Sequence, residues 1–308
     1  MKSVLVLGGT GMLGSMVTDE LARRPDIRVN ATWRVSSRSA PPVMIPGVEW
    51  LPFDAADSSL DEALLACGRH QWILNAIGIT KPLIRDDNPQ EVDRALRINA
   101  LLPHAIARVA EALDARVLQI ATDCVYSGAK GGYTETDVHD ALDVYGKTKS
   151  LGECFSPNVI NLRCSIIGPE PKDFKFLLEW FRSQPVGASV NGFVNHKWNG
   201  ITTLHFARLC AGIIETEARL PHLQHVVPAG VISKADMLRE FAAAYGRTDV
   251  RINDTVASSV IDRTLSTVNP DLNRQLWRVA GYRTPPTVPD MIGEVAKYPY
   301  RFCSQEVV

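Results

Sequence analysis

Tyr145 and Lys149 stand four residues apart in the run Tyr145-Gly146-Lys147-Thr148-Lys149, a spacing that puts both on one face of a helix. A free tyrosine titrates at about 10, too high for ready proton transfer at neutral pH. A nearby ammonium stabilises the phenolate and lowers that value. The same lysine is placed to hydrogen-bond the ribose of a nicotinamide. Tyr and Lys are common on helix surfaces, so the pair alone is weak. It gains weight from a strand at residues 116–121 that runs into Thr122-Asp123-Cys124-Val125-Tyr126-Ser127-Gly128. A hydroxyl at the carboxyl end of a parallel strand faces the cofactor crevice of a doubly wound sheet. Thr122 is thus positioned to orient a substrate carbonyl beside Tyr145, and the chemistry is proton transfer at that oxygen.

A dinucleotide site is the second constellation. Gly8-Gly9-Thr10-Gly11-Met12-Leu13-Gly14 follows a strand at 3–7 and opens a helix at 12–24. Gly8, Gly11 and Gly14 permit a tight turn, close approach of a pyrophosphate and close helix–strand packing. The backbone around Thr10, Met12 and Leu13 offers N–H groups to the phosphates. An NAD site carries an acid about 20 residues further on. Here that region reads Thr32-Trp33-Arg34-Val35-Ser36-Ser37-Arg38. Arg34, Ser36 and Arg38 suit a 2′-phosphate, so NADP is the expected cofactor; a solvated basic loop is the competing reading. Asp54 meets the adenine amino group or is a plain turn residue. Asn75-Ala76-Ile77-Gly78 ends a strand, where small residues let a nicotinamide lie flat. Asn99 is polar within an otherwise apolar helix.

These residues need a scaffold, and the first half of the chain supplies an alternating one. Strands are expected at 3–7, 28–33, 49–53, 71–77, 116–121 and 159–163, with helices at 12–24, 58–67, 91–113 and 144–154. The strands lack strict alternation, as expected when both faces are buried. Strand–helix–strand repetition predicts an α/β fold, a Rossmann-type doubly wound parallel sheet. After Arg163 the beat changes. Helices are expected at 174–182, 202–217, 233–245 and 272–279, a strand at 222–227, and an irregular loop at 191–200. We read residues 1–165 as an NADP-binding domain. Residues 166–308 form a smaller, interleaved substrate lobe, with segments near 201–227 returning to the sheet.

Composition narrows the functions. Lys+Arg 33 against Asp+Glu 34 leaves a net charge of −1, without the one-signed field that a nucleic-acid or membrane-surface binder needs. The six cysteines form no CxxC pair and no Cys/His cluster has zinc spacing, so no metal is expected and the thiols read as reduced. No apolar run reaches bilayer length and the N-terminus lacks a signal-like stretch. The expected location is the cytoplasm, with no membrane partner.

Together, Gly8–Gly14, Asn75–Gly78, Asn99, Thr122-Asp123 with Val125-Tyr126 and Gly128, Tyr145–Lys149 and Arg163–Ser165 resemble the extended short-chain dehydrogenase/reductases. Within them the chain is similar to the dTDP-4-dehydrorhamnose reductase branch of nucleotide-sugar reductases, over nearly its full length. The resemblance implies Thr122, Tyr145 and Lys149 as the catalytic set and NADPH as hydride donor. It implies a dTDP- or UDP-linked 6-deoxy-4-ketohexose as substrate, in deoxysugar biosynthesis, and leaves a homodimer open. Departures fall at Thr80-Lys81-Pro82, at Cys124 and at residues 195–200, all where the sugar or base should lie. The expected substrate contacts are Thr80, Lys81, Cys124, Tyr126, Asn195, Lys197, Trp198 and Arg263.

Three relatives compete. The family's 4,6-dehydratases carry Glu where Cys124 stands. Its 4-epimerases share the Tyr and Lys but differ at Thr122 and Asp123. A non-catalytic NADP-binding subunit, resembling the regulatory subunit of methionine adenosyltransferase, is the alternative outside catalysis.

Overall fold

The computed structural model describes residues 1–34, 45–56, 59–171 and 174–302. Six strands form in the first half: β1 (Lys2–Leu7), β2 (Ile27–Trp33), β3 (Glu49–Pro52), β4 (Trp72–Asn75), β5 (Arg116–Thr122) and β6 (Val159–Cys164). The second half adds β7 (Ile166–Ile167), β8 (Ser189–Phe193), β9 (Lys197–Trp198), β10 (Ile201–Thr202), β11 (Leu223–His225), β12 (Ile232–Ser233) and β13 (Arg251–Thr255). The central sheet has seven strands in the order β11-β6-β5-β4-β1-β2-β3, every neighbour parallel. The α/β expectation therefore holds, and β11 brings the chain back to the sheet edge. β4 and β6 are buried along their whole length, which explains why neither alternates in sequence.

Helices cover both faces. α1 (Met12–Leu21) lies on one face with the later helix at Thr203–Thr216, and their side chains share one core with Val4, Val6 and Leu162. The opposite face packs Leu5, Leu7, Ile73 and Val117 against α2 (Leu60–Ala66) and the helix at Leu102–Ala112. The strand order reverses between β1 and β4. The loops after these two strands therefore diverge and open a crevice at the carboxyl edge of the sheet.

The helix expected at 91–113 is interrupted. α3 (Pro89–Ala95) passes through a wide helical turn at Leu96–Leu101 into α4 (Leu102–Ala112). Asn99 sits in that turn. Its Oδ1 accepts from the Ile79 N–H at 2.8 Å and its Nδ2 donates to the Ile79 carbonyl at 2.9 Å. The sequence showed a polar residue in an apolar helix but not the loop that it ties down. α5 (Val144–Leu151) is capped by Asp143, whose side chain accepts from the Gly146 N–H.

The remaining helices are α6 (Leu177–Arg182), α7 (Thr203–Thr216), α8 (Lys234–Ala244), α9 (Pro270–Val279) and α10 (Val288–Lys297). Residues 191–200 are more ordered than expected. β8 pairs with β13 over five residues and β9 pairs antiparallel with β12. Both partners come much later in the chain, so local pattern could not reveal them. The segment after α10 returns to α1: Arg301 meets the wholly buried Asp19, Tyr298 donates to Glu20 at 3.0 Å, and Phe302 is buried.

Candidate active site

The glycine turn has the shape a pyrophosphate needs. Gly8 sits at φ +80°, and a Cβ on Gly14 would lie 2.1 Å from the Gly8 carbonyl oxygen, so neither position tolerates a side chain. Gly11, by contrast, faces nothing closer than 3.5 Å. Gly11 is also the N-cap of α1 and no side chain caps that helix, which leaves the first-turn N–H groups at Met12 and Leu13 available to an anion. The Gly8 N–H donates to Thr32 Oγ1 at 2.9 Å, locking the turn to β2. Thr10 is half-buried beside it. The residues present thus fit a dinucleotide.

Arg34 follows β2 and is exposed. Ser36 and Arg38 lie outside the described residues. Asp54 is exposed and its Oδ1 accepts from the Ala56 N–H at 3.0 Å, so it serves its own turn whatever else it meets. Across the crevice, Asn75 Oδ1 accepts from the Ile77 N–H and its Nδ2 donates to Gln119. Ala76 and Ile77 are half-buried and Gly78 is exposed. Asn99 ties down the loop after β4: its amide holds Ile79 at both backbone groups and contacts Thr148 Oγ1 at 3.3 Å.

Thr122 ends β5 and Tyr145 lies in the first turn of α5, where the Thr122 hydroxyl is close enough to act on the phenol. Thr122 Oγ1 also donates to Asp123 Oδ1 at 3.2 Å and accepts from the Cys124 N–H. Burial pushes the Tyr145 phenol well above its ordinary range, with Cys124 next and Asp123 adding to it. Lys149 is not among the groups that move it most, and its ammonium donates instead to the Ile120 carbonyl at 3.0 Å. Burial lowers Lys149 itself to about 8, against the pull of Glu153. Burial and the Asp123 charge push the Cys124 thiol up to about 12, so it is no thiolate at neutral pH.

Four of the expected substrate contacts are placed as follows. Thr80 is half-buried with its hydroxyl enclosed and unpartnered. Lys81 bridges to Asp143 at 2.8 Å, linking the loop after β4 to the cap of α5. Cys124 is half-buried beside Tyr145. Arg263 lines a cleft of about 380 Å³ with Asp86, Ser127, Ala141, Leu142 and Asp143, and its Nε donates to the Tyr126 carbonyl at 2.8 Å. Lys197 is exposed on β9.

Three of the expected contacts are corrected. Tyr126 is sealed from solvent, stacked on Tyr133 with ring centres 4.2 Å apart, and its hydroxyl meets Arg163 and the Thr134 carbonyl. Asn195 spends both amide atoms on the Ala257 backbone. Trp198 is buried and its indole N–H donates to Ser165 at 2.8 Å, so it offers no free face to a base. In each case a nearby backbone or core partner satisfies the polar atom before a ligand can.

Sequence reasoning missed Lys234. It opens α8 directly after the capping residue Ser233, and its ammonium lies 5.4 Å from the centre of the Trp198 ring. The charges of Asp123 and Arg263 act on it. Only its position one residue into a predicted helix was visible, and that position has no chemical signature.

A family described as RmlD substrate binding domain matches residues 1–282. The chain belongs to this family. Among curated proteins, methionine adenosyltransferase 2 subunit beta of Rattus norvegicus is 28% identical over 152 residues, covering 49% of this chain and 42% of that protein. The chain thus spans less than half the length of that relative. dTDP-4-dehydrorhamnose reductase of Mycolicibacterium smegmatis is 24% identical over 262 residues, 82% of this chain and 72% of that protein. A dTDP-4-dehydrorhamnose reductase of Bacillus anthracis solved with NADP superposes at a TM-score of 0.69, with 18% identity over 96% of this chain and 98% of that one. WbmG of Bordetella bronchiseptica, solved with NAD, reaches 0.72 at 17% identity over 96% and 93%. At such identities these structures establish the fold. Among the described residues no helix is long and apolar enough to cross a membrane, and no group of three or more His, Cys, Asp and Glu is placed to hold a metal ion.

Proposed function

We propose that this protein reduces the 4-keto group of a dTDP- or UDP-linked 6-deoxy-4-ketohexose with NADPH. One observation carries the reading: Thr122, Tyr145 and Lys149 come together around the carboxyl end of β5, in the sheet whose first strand ends in a glycine turn with no room for a Cβ at Gly8 or Gly14. When bound, the reduced nicotinamide supplies the hydride. Tyr145, held neutral by burial, donates its proton to the developing alkoxide, and Thr122 orients the carbonyl oxygen. Lys149, whose ammonium donates to the Ile120 carbonyl at 3.0 Å, would hold the ribose of the nicotinamide cofactor. Arg34, with Ser36 and Arg38 beyond it, supports NADPH over NADH. Thr80, Lys81, Cys124 and Arg263 edge the space for the sugar nucleotide. The cytoplasm is the proposed location, and residues 166–308 the proposed substrate lobe.

Methionine adenosyltransferase 2 subunit beta supports a second reading, a non-catalytic NADP-binding subunit. The intact Thr122, Tyr145 and Lys149 set favours catalysis. Incubation with NADPH and a panel of 4-keto-6-deoxy sugar nucleotides tests the choice. Consumption of NADPH with a single reduced product supports the reductase. No turnover, together with tight binding to an adenosyltransferase catalytic subunit, supports the other.

A further inference from the structure

We propose that Lys234 is a specificity-determining residue whose ammonium binds acceptor oxygens on the sugar, hydroxyl or carboxylate, next to the Thr122–Tyr145 pair. The proposal rests on the nucleotide-sugar reading above. An ammonium has three donors and no acceptor. Among the described residues no hydrogen bond or ion pair occupies those donors at Lys234. Its contacts are the Trp198 ring, 5.4 Å away, and the longer-range charges of Asp123 and Arg263. Its backbone is held rigidly: the Lys234 N–H donates to the His196 carbonyl at 2.9 Å, and the preceding β12 pairs with β9. Trp198 is in turn fixed through its bond to Ser165. A cation with free donors, an aromatic wall on one side and a preset backbone calls for an acceptor-rich ligand.

The location selects the sugar over the nucleotide. Trp198, which the ammonium overlies, is bonded to Ser165, and Ser165 directly follows Cys164, the residue paired with Thr122 between β5 and β6, so Lys234 lies toward the reacting end of the site. The nearby acid does not satisfy the lysine. Asp123 is buried and already accepts from Thr122 at 3.2 Å, and it lies beyond 4.0 Å of the ammonium, since no ion pair forms. Arg263 adds a second positive charge on the same side, with its Nε committed to the Tyr126 carbonyl.

Calorimetry with NADP present tests this, using dTDP-glucose, UDP-glucose and UDP-glucuronic acid as probes and dTDP and UDP as sugar-free controls. A charge-assisted hydrogen bond lost from a closed site corresponds to roughly ten-fold or more in Kd. Lys234→Gln is expected to weaken the preferred nucleotide sugar by about that factor, leaving dTDP, UDP and NADP binding unchanged. Lys234→Arg restores most of the affinity. A larger loss for UDP-glucuronic acid than for UDP-glucose assigns the contact to a carboxylate, and equal losses assign it to hydroxyls. Unchanged sugar-nucleotide affinity in Lys234→Gln overturns the proposal, as does an equal loss for dTDP and UDP. If the parent protein binds none of the nucleotide sugars, the functional reading itself falls, and this proposal with it. Unaltered NADP binding by each variant verifies that it has folded.

Discussion

Arg163 and Glu153 meet as a two-point ion pair sealed from solvent, with Nη2 to Oε2 at 2.5 Å and Nε to Oε1 at 3.0 Å. Arg163 is wholly buried, and its remaining donors reach His139, His225 and Tyr126. One guanidinium thus ties the end of β6 to the residue pair just after α5 and to β11. Removing one partner strands the other charge in the core. Arg163→Met is expected to cost about 3–5 kcal/mol in urea unfolding, whereas Arg163→Met with Glu153→Leu recovers much of that loss. A single variant as stable as the parent contradicts the assignment.

The same network predicts acid sensitivity. His225 Nε2 accepts from Arg163 and its Nδ1 donates to the Ser266 carbonyl, so the ring is neutral. Burial, then the Arg163 charge, lowers it to about 4 from an unfolded value of about 6.5. Between those values the unfolded chain binds the extra proton, so stability is lost as pH falls from 6.5 toward 4. The urea midpoint should drop across that interval in the parent and drop less in His225→Gln. Parallel pH profiles for the two would refute the linkage.

Asn99→Leu removes both bonds to Ile79 and keeps the volume. Each buried backbone group left unpaired costs about 1–3 kcal/mol. The loop after β4 should loosen, so the KM for NADPH rises more than kcat falls. An effect confined to kcat would mean that Asn99 does not act through this loop.

Tyr145→Phe keeps the ring and removes the proton. A fall in reductase turnover of about 10²- to 10⁴-fold is expected, with NADPH affinity retained. Lys149→Met should impair turnover and cofactor binding together. Its effect on stability has the opposite sign: burial lowers Lys149 to about 8 from an unfolded value of about 10.5, so its charge opposes folding at pH 7. With no cofactor added, the melting temperature of Lys149→Met should exceed that of the parent at pH 7 and the difference should shrink above pH 8. Full activity in Tyr145→Phe would rule out the proton-donor role.

Arg34→Asp exchanges a cation for the acid that binds a ribose 2′-hydroxyl. Preference should move from NADPH toward NADH, read as the ratio of the two dissociation constants. Equal affinity for both cofactors in the parent would show that Arg34 does not select between them.

Much of this was legible in the chain alone. The strand–helix alternation, the glycine turn and the Thr122, Tyr145 and Lys149 set depend on residue type and short spacing, and short spacing survives folding unchanged. Element ends were less legible: the helix expected at 91–113 contains a wide turn because Asn99 bonds to Ile79, a contact absent from the local pattern. Tyr126, Asn195 and Trp198 have the chemistry of ligand contacts. Yet a hydroxyl, amide or indole binds the nearest buried partner first, and sequence does not say which partner is near.

What the sequence determined by itself is therefore the fold class, and it also supplied the proposed Thr122, Tyr145 and Lys149 set, because both depend on residue type and short spacing. The tertiary structure alone decided which polar groups remain open to a substrate. Trp198 is closed by Ser165, Asn99 by Ile79, and Lys149 is turned toward Ile120. Lys234 is open because β12 and β9, far apart in the chain, pair and set it over the Trp198 ring beside Asp123. Long-range pairing of that kind leaves no periodic trace in the sequence, since each strand is two residues long and neither repeats.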